Sequence, residues 1–100
     1  MNTFNAKVID WAGARGILAN SSPTVQFAKL VSEVGELADN IAKGRDVKDD
    51  IGDCMVVLAI IAAFYNTTLN ECARTAWEDI KDRKGYLNSD GIFIKEGDNG

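Results

Sequence analysis

The feature that most restricts the fold of this 100-residue chain is an uncharged, largely apolar run of twelve residues, 54–65. We interpret the run as part of a helix that is apolar on every face. A chain of this length has few elements to cover such a helix. We therefore expect a second copy, in a homodimer or homotetramer, to cover part of it; the alternative is a helix at the centre of a monomer.

Start and stop signals divide the rest of the chain. Apolar residues at helical spacing predict a first helix over residues 4–15. A serine followed by proline, Ser22-Pro23, is typical of a helix start, because proline's missing N–H costs nothing in the first turn. The second predicted helix begins there and ends at Gly44.

Two further helices follow. Asp46 is a candidate cap for a third helix, which contains the apolar run and ends near Asn66. The segment Thr68-Leu69-Asn70-Glu71 has the form of a capping box and predicts the start of a fourth, with Gly85 as a candidate C-cap.

The last fifteen residues differ from the helical part. Asp90-Gly91 indicates a turn, and Ile92-Phe93-Ile94 indicates a short extended arm. We therefore predict an all-α, four-helix bundle-like domain over residues 1–85 and a non-helical tail over residues 86–100.

Composition excludes several classes of function. The chain has no histidine, which excludes His-based catalytic triads, HExxH zinc sites and C2H2 fingers. Its net charge of −4, with no basic tract, argues against a nucleic acid polymer as partner. The N-terminus has no signal pattern and the apolar run is too short to span a membrane, so we expect a cytoplasmic protein without a membrane partner. Cys54 and Cys72 are expected to be free thiols.

Two acidic pairs carry the clearest functional signal. Glu33 and Glu36 lie on the second predicted helix, and Asp50 and Asp53 lie at the start of the third. Each pair has i, i+3 spacing, so its carboxylates share a helix face that borders apolar residues. A short loop should make the two helices antiparallel neighbours. Inward carboxylates are costly unless they are paired, protonated or bound to a cation. If a cation is bound, oxygen ligands alone favour Mg²⁺, with Mn²⁺ as a substitute. The alternative is two solvated helix faces.

Together these pairs resemble a family signature. Glu33-Val34-Gly35-Glu36 followed by Asp50-Ile51-Gly52-Asp53 is similar to the ExxE…ExxD pattern of MazG-like nucleotide pyrophosphohydrolases, in the all-α NTP pyrophosphatase superfamily. The similarity covers about residues 4–85. One departure is Asp50, where the pattern usually has Glu.

The resemblance implies hydrolysis of a nucleoside triphosphate to a monophosphate and pyrophosphate. It implies Glu33, Glu36 and Asp53 as metal ligands, with Asp50 as a fourth ligand or a water-positioning base. Catalytic roles fall on Glu36 and Asp50, because no histidine can activate water.

Other residues are candidates for substrate binding. Cations that face the phosphates are expected among Lys81, Arg83 and Lys84, although the helix dipole alone favours cations in a last turn. Phe93 and Lys95 are candidates for base binding, on an arm that closes over substrate in the same subunit or in a neighbouring one. Trp11 and Trp77 can stack on a base, but aromatic residues at helical spacing more often belong to the core.

Two alternatives stay open from the sequence. One is a relative with a narrower substrate, such as dUTP, dCTP or phosphoribosyl-ATP. The other is a non-catalytic helical interaction module whose acids form a solvated or structural ion site.

Overall fold

A computed structural model describes residues 2–97 of the chain. It contains five helices and one antiparallel hairpin: α1 (Asn2–Ala14), α2 (Ile17–Asn20), α3 (Pro23–Ala42), α4 (Lys48–Phe64), α5 (Leu69–Ile80), β1 (Gly85–Leu87) and β2 (Phe93–Lys95). The all-α class is confirmed, and α1, α3, α4 and α5 are the four helices predicted from the sequence. The final three residues of the predicted tail lie outside the described residues.

The predicted helix starts are confirmed by their caps. The Ser22 hydroxyl accepts a hydrogen bond from the Val25 amide at 3.2 Å, and the Thr68 hydroxyl accepts one from the Glu71 amide at 3.1 Å. At α4 the N-cap position is Val47 and not the predicted Asp46, although the Asp46 carboxylate, one residue earlier, accepts a hydrogen bond from the Lys48 amide at 3.1 Å. In each case a side-chain oxygen satisfies an amide that the first helical turn leaves without a partner.

A short extra helix was not expected from the sequence. Gly16 adopts a left-handed conformation, with φ at +76°, and this separates α1 from the single turn of α2. The conformation costs glycine little because it has no Cβ.

The prediction that Gly85 caps the last helix is wrong. α5 ends at Ile80, so Arg83 and Lys84 follow the helix instead of closing it, and Gly85 begins β1. A Cβ at Gly85 would lie 2.1 Å from the Ile94 carbonyl oxygen and 2.7 Å from the Phe93 ring. Glycine is therefore required by the close approach of the two strands. The predicted arm is strand β2, whose partner strand β1 the sequence did not indicate.

Helix α4 is the centre of the helical domain, since it packs against α1, α2, α3 and α5. Its most extensive contact is with α3, to which a short loop joins it. The core combines Val8 and Ala12 of α1 with Ala59 and Ile60 of α4. Leu58 of the same helix and Tyr65, just after its end, are 40% and 67% exposed, so residues 2–97 leave one face at this end of α4 uncovered.

No single helix within residues 2–97 is long and apolar enough to cross a membrane; α4 and α5 reach the required length and composition only as a pair bent by 96°. The expected free thiols are confirmed for both Cys54 and Cys72.

Candidate functional site

Three of the four predicted acids meet between α3 and α4. Glu33 and Glu36 of α3 and Asp53 of α4 each offer one carboxylate oxygen, and these three oxygens lie within 4.8 Å of one another. The i, i+3 spacing brings the two glutamates to one face of α3, and the packing of α3 on α4 brings Asp53 to the same place. We call these three residues the acidic cluster.

Glu33 is the buried member of the acidic cluster, with 7% of its surface exposed. Its Oε1 pairs with the ammonium of Lys29, one turn earlier on α3, at 3.0 Å. Its Oε2 is buried without a hydrogen-bond partner among the described residues. Native proteins rarely leave a buried carboxylate oxygen unsatisfied, because the desolvation is not compensated.

Asp50 lies close to the acidic cluster but not within it. Its carboxylate is buried, and its Oδ2 accepts a hydrogen bond from the Asn40 side-chain amide at 2.9 Å. Asp50 is near enough that its charge contributes to raising the pKa of both Glu36 and Asp53. Its role as fourth ligand or water-positioning base stays a prediction. Sequence reasoning missed Asn40, although it lies one turn beyond Glu36 on the same face of α3.

Crowding of like charges perturbs the acidic cluster. The pKa of Glu36 is raised above its usual value, chiefly by the neighbouring charge of Glu33 and by a hydrogen bond to it. The pKa of Asp53 is raised chiefly by burial, with the Asp49 charge as the next cause. The pKa of Lys29 is raised by its hydrogen bond to Glu33. The Glu36 and Asp53 carboxylates therefore favour either a proton or a cation.

The acidic cluster fits a hard divalent cation. All its donors are carboxylate oxygens, which Mg²⁺ and Mn²⁺ prefer. The three oxygens lie within 4.8 Å of one another, so the three side chains could hold a single cation between them. The unpartnered Glu33 Oε2 provides a buried anionic ligand that such a cation would satisfy.

An apolar groove lies beside the acidic cluster, between α1 and α4. Its volume is about 450 Å³, it is open along one side, and Asp53 belongs to both the groove and the acidic cluster. Its other lining residues are Phe4, Lys7, Val8, Trp11 and Val56. Trp11 is 47% exposed, so this tryptophan is not a core residue. We call this feature the α1–α4 groove; the sequence signalled it only through Trp11.

The predicted phosphate-binding cations lie at the end of α5 and beyond it. Lys81 pairs with Glu78 at 2.7 Å, and Arg83 pairs with Asp79 at 2.6 Å. Within residues 2–97, neither Lys84 nor Lys95 forms an ion pair. Lys95 and Phe93 lie on the hairpin, and no strand of the hairpin packs against any described helix. The described chain therefore does not bring these two residues to its own acidic cluster.

Comparison with known proteins decides the family. Residues 21–87 match the family model of the MazG nucleotide pyrophosphohydrolase domain. The chain belongs to the MazG family. This match covers α3, α4 and α5, and therefore every member of the acidic cluster as well as Asp50.

Two individual proteins are similar to this MazG chain. An uncharacterised 18.2 kDa protein from the rep–hol intergenic region of Haemophilus phage HP1 is 46% identical over 54 residues, which are 52% of this chain and 33% of the phage protein. The chain thus spans about a third of that relative's length. A MazG-like pyrophosphohydrolase of cyanophage S-2L, solved with dGDP and three catalytic Mn²⁺ ions per active site, has the same fold. Its TM-score is 0.71 at 20% identity, over 94% of each chain.

Proposed function

We propose that this MazG domain is a divalent-cation-dependent pyrophosphohydrolase that cleaves (deoxy)nucleoside triphosphates to the monophosphate and pyrophosphate. The observation that carries the proposal is the acidic cluster, with a buried and unpartnered Glu33 oxygen, in a chain of the MazG family. We propose Mg²⁺ as the cation and Mn²⁺ as a substitute. The dGDP and Mn²⁺ ions of the cyanophage protein support a nucleotide substrate and a divalent cation.

Each carboxylate has a proposed role. Glu33, Glu36 and Asp53 hold the cation, and Asp50 is a fourth ligand or positions the attacking water. When bound, the cation supplies charge stabilisation for the phosphates and lowers the pKa of water. A carboxylate of Glu36 or Asp50 accepts a proton from this water as the water oxygen bonds to the α-phosphorus. The bond from the α-phosphorus to the bridging oxygen breaks, and pyrophosphate leaves.

The raised pKa of Glu36 is consistent with a proton-accepting role. A general base works best when its pKa lies near the working pH, and the Glu33 charge moves Glu36 in that direction. Because Glu36 is also a proposed ligand, its removal is expected to affect both cation binding and turnover.

Cations are also needed on the phosphate side, because a triphosphate adds negative charge to a site that already holds several carboxylates. We propose Lys81, Arg83 and Lys84 for this role. Lys81 and Arg83 would have to leave exposed ion pairs, which cost no more than about 1 kcal/mol to break. The α1–α4 groove is the proposed site for the base, with Trp11 as a stacking surface.

We also propose that the enzyme is a homo-oligomer, either a dimer or a tetramer. Phe27, Val31 and Val34 of α3 recur at helical spacing and are 59%, 56% and 49% exposed. Leu58 of α4 and Tyr65, just after α4, are also exposed. A groove lined by Phe27, Ile61 and Tyr65 joins this surface to the exposed face of α3. A contiguous apolar surface of this kind is typical of a protein interface.

The test of the activity is a panel of ribo- and deoxyribonucleoside triphosphates, assayed for pyrophosphate and monophosphate with and without Mg²⁺. We expect metal-dependent release of both products in equal amounts, and the ranking of substrates distinguishes a broad enzyme from one specific for dUTP or dCTP. Phosphoribosyl-ATP belongs in the same panel.

The matched variants are Glu36→Gln in the acidic cluster and Asp10→Asn, which removes a carboxylate from an exposed position on α1. Loss of a cation ligand should lower turnover at least about 100-fold, since even residues behind the ligands cost 10–100-fold. Asp10→Asn should keep full activity. No turnover on any substrate would instead support a non-catalytic interaction module. Equal activity in Glu36→Gln and wild type would contradict the proposed role of the acidic cluster.

A further inference from the structure

The C-terminal hairpin has an apolar face that its own chain does not cover. In the register Gly85↔Lys95, Tyr86↔Ile94 and Leu87↔Phe93, the side chains of Leu87, Phe93 and Lys95 point to one face. Leu87 is 68% exposed and Phe93 is 47% exposed. Among the described elements, the two strands pack only on each other and on no helix. We call this surface, formed by Leu87, Phe93 and Lys95, the hairpin face.

The size of the chain agrees with a projecting hairpin. The radius of gyration is 16.3 Å, whereas a compact domain of 100 residues has a value of about 13 Å. An isolated two-stranded hairpin is marginally stable in water unless a hydrophobic face is packed. Ile94, on the opposite face, is only 9% exposed, so the hairpin face is the side that the described part of the chain leaves open, and its burial against another surface would stabilise the hairpin further.

The α1–α4 groove has only one apolar wall. It is open to solvent, whereas nucleotide-sized ligands are normally buried over 70–90% of their surface. A base stacked on Trp11 would therefore have one face in water. The groove needs a second apolar wall if it is to enclose a base.

The charges of the two surfaces are also complementary. Lys7 lines the groove along its α1 side, whereas Asp53 lines its α4 side and belongs to the acidic cluster with Glu33 and Glu36. Lys29 pairs with one of these acids, Glu33. The hairpin face ends in Lys95, beside Lys84 at the base of the hairpin, and neither lysine has an ion pair among residues 2–97. An apolar surface with a cationic end thus matches an apolar groove with an anionic end.

We propose that the hairpin face of one protomer closes the α1–α4 groove of a second copy of this chain. Phe93 supplies the second wall for the base, opposite Trp11, and Lys95 supplies a cation for the phosphates. The assignment of Phe93 and Lys95 to base and phosphates rests on the proposed function, but the docking of the hairpin does not. The occupant is a second copy because one chain carries both matching surfaces and does not join them itself.

The docking is tested without activity, by cross-linking in the full chain after Cys54→Ala and Cys72→Ala remove the native thiols. Lys7→Cys labels the groove and Leu87→Cys labels the hairpin face. Tyr86→Cys is the matched control, because Tyr86 is similarly exposed but points to the opposite face of the same hairpin. With a short bismaleimide, the 7/87 pair should give a covalent dimer in at least several-fold higher yield than the 7/86 pair. Equal yields, no covalent dimer, or a wild-type monomer in sedimentation would overturn the proposal.

The contribution to the site is tested by complementation between two full-length variants. Glu36→Gln keeps the hairpin but loses the acidic cluster, and Lys95→Ala keeps the acidic cluster but lowers activity at least about tenfold. When the two are refolded together in equal amounts, random pairing of two-fold partners should give about one quarter of the wild-type activity. Activity no higher than the sum of the separate variants would show that no second copy contributes Lys95. If the wild type itself has no turnover, the proposed function fails while the cross-link still decides the docking.

Discussion

The α3–α4 region and the C-terminal hairpin differ in where their side chains find contacts. In the α3–α4 region, each buried acid is placed by helices of the same chain, and Asp50 finds its amide partner only ten residues away. The hairpin orders its own backbone, but its apolar face finds no surface among the described helices. The acidic cluster is therefore assembled within one chain. The exposed hairpin face, in contrast, indicates a site that two chains share.

Among substitutions that test this comparison, we expect the largest loss of stability and of cation affinity at Asn40. Asn40→Ala removes the amide that donates to buried Asp50, which should lower stability by about 1–3 kcal/mol and cation affinity by about 10–100-fold. Chemical denaturation and metal titration measure the two effects.

The control for this change is Asn20→Ala, whose amide donates to the Gly16 carbonyl at an exposed position. Its smaller effect on stability should come without any change in cation affinity. Equal cation affinity in Asn40→Ala and wild type would separate Asp50 from the metal centre and contradict its proposed role.

A smaller, local effect is expected at the hairpin. Gly85→Ala places a Cβ where it would meet the Ile94 carbonyl oxygen at 2.1 Å, so the strands cannot keep their spacing. Hydrogen exchange should show lost protection at the Asn88 and Glu96 amides, which now bond across the hairpin, while the helices keep theirs.

Gly35→Ala is the matched control on α3, because a Cβ there meets nothing within 4 Å. This substitution should stabilise the helix by up to about 1 kcal/mol. If Gly85→Ala instead lowers protection throughout α3 and α4, the hairpin and the helical domain are one cooperative unit and the contrast between them fails.

The smallest effect concerns pH and the metal-free protein. The pKa of Glu36 is raised in the folded state above its ordinary value of 4.5, so its ionised form opposes folding at neutral pH. In EDTA, Glu36→Gln should therefore melt at a higher temperature than wild type at pH 7. The difference should vanish as the pH falls below the ordinary value, where both folded and unfolded states are protonated.

Saturating Mg²⁺ should reverse the order at pH 7, because the cation stabilises only the protein that retains its ligands. If Glu36→Gln melts below wild type in EDTA at pH 7, the neighbours of Glu36 stabilise its ionised carboxylate, which would contradict the raised pKa.

Much of this molecule was predictable from its sequence, for local reasons. Ser22-Pro23 and Thr68 identified helix starts because capping is a contact within one turn. The spacing of Glu33 to Glu36 predicted a shared face, and a short loop permitted, without requiring, a site shared with Asp53. These are consequences of helix geometry, which depends little on the rest of the chain.

The remaining features depend on contacts between distant residues. Gly85 has the pattern of a helix C-cap, but its role is set by strand β2, about ten residues later. The bond from Asn40 to Asp50 depends on how α3 packs on α4. The α1–α4 groove likewise depends on how α1 packs on α4, although residues 15–47 separate these two helices in sequence. Periodicity cannot reveal such pairings, since it reports a face but not its partner.

The most direct test of the central claim is Mn²⁺ binding measured by electron paramagnetic resonance in wild type, Glu36→Gln and Asp10→Asn. The account predicts saturable binding to wild type and Asp10→Asn, and an affinity at least about 100-fold lower in Glu36→Gln. Equal binding by all three proteins, or none by wild type, would contradict the claim that the acidic cluster between α3 and α4 is a divalent-cation site.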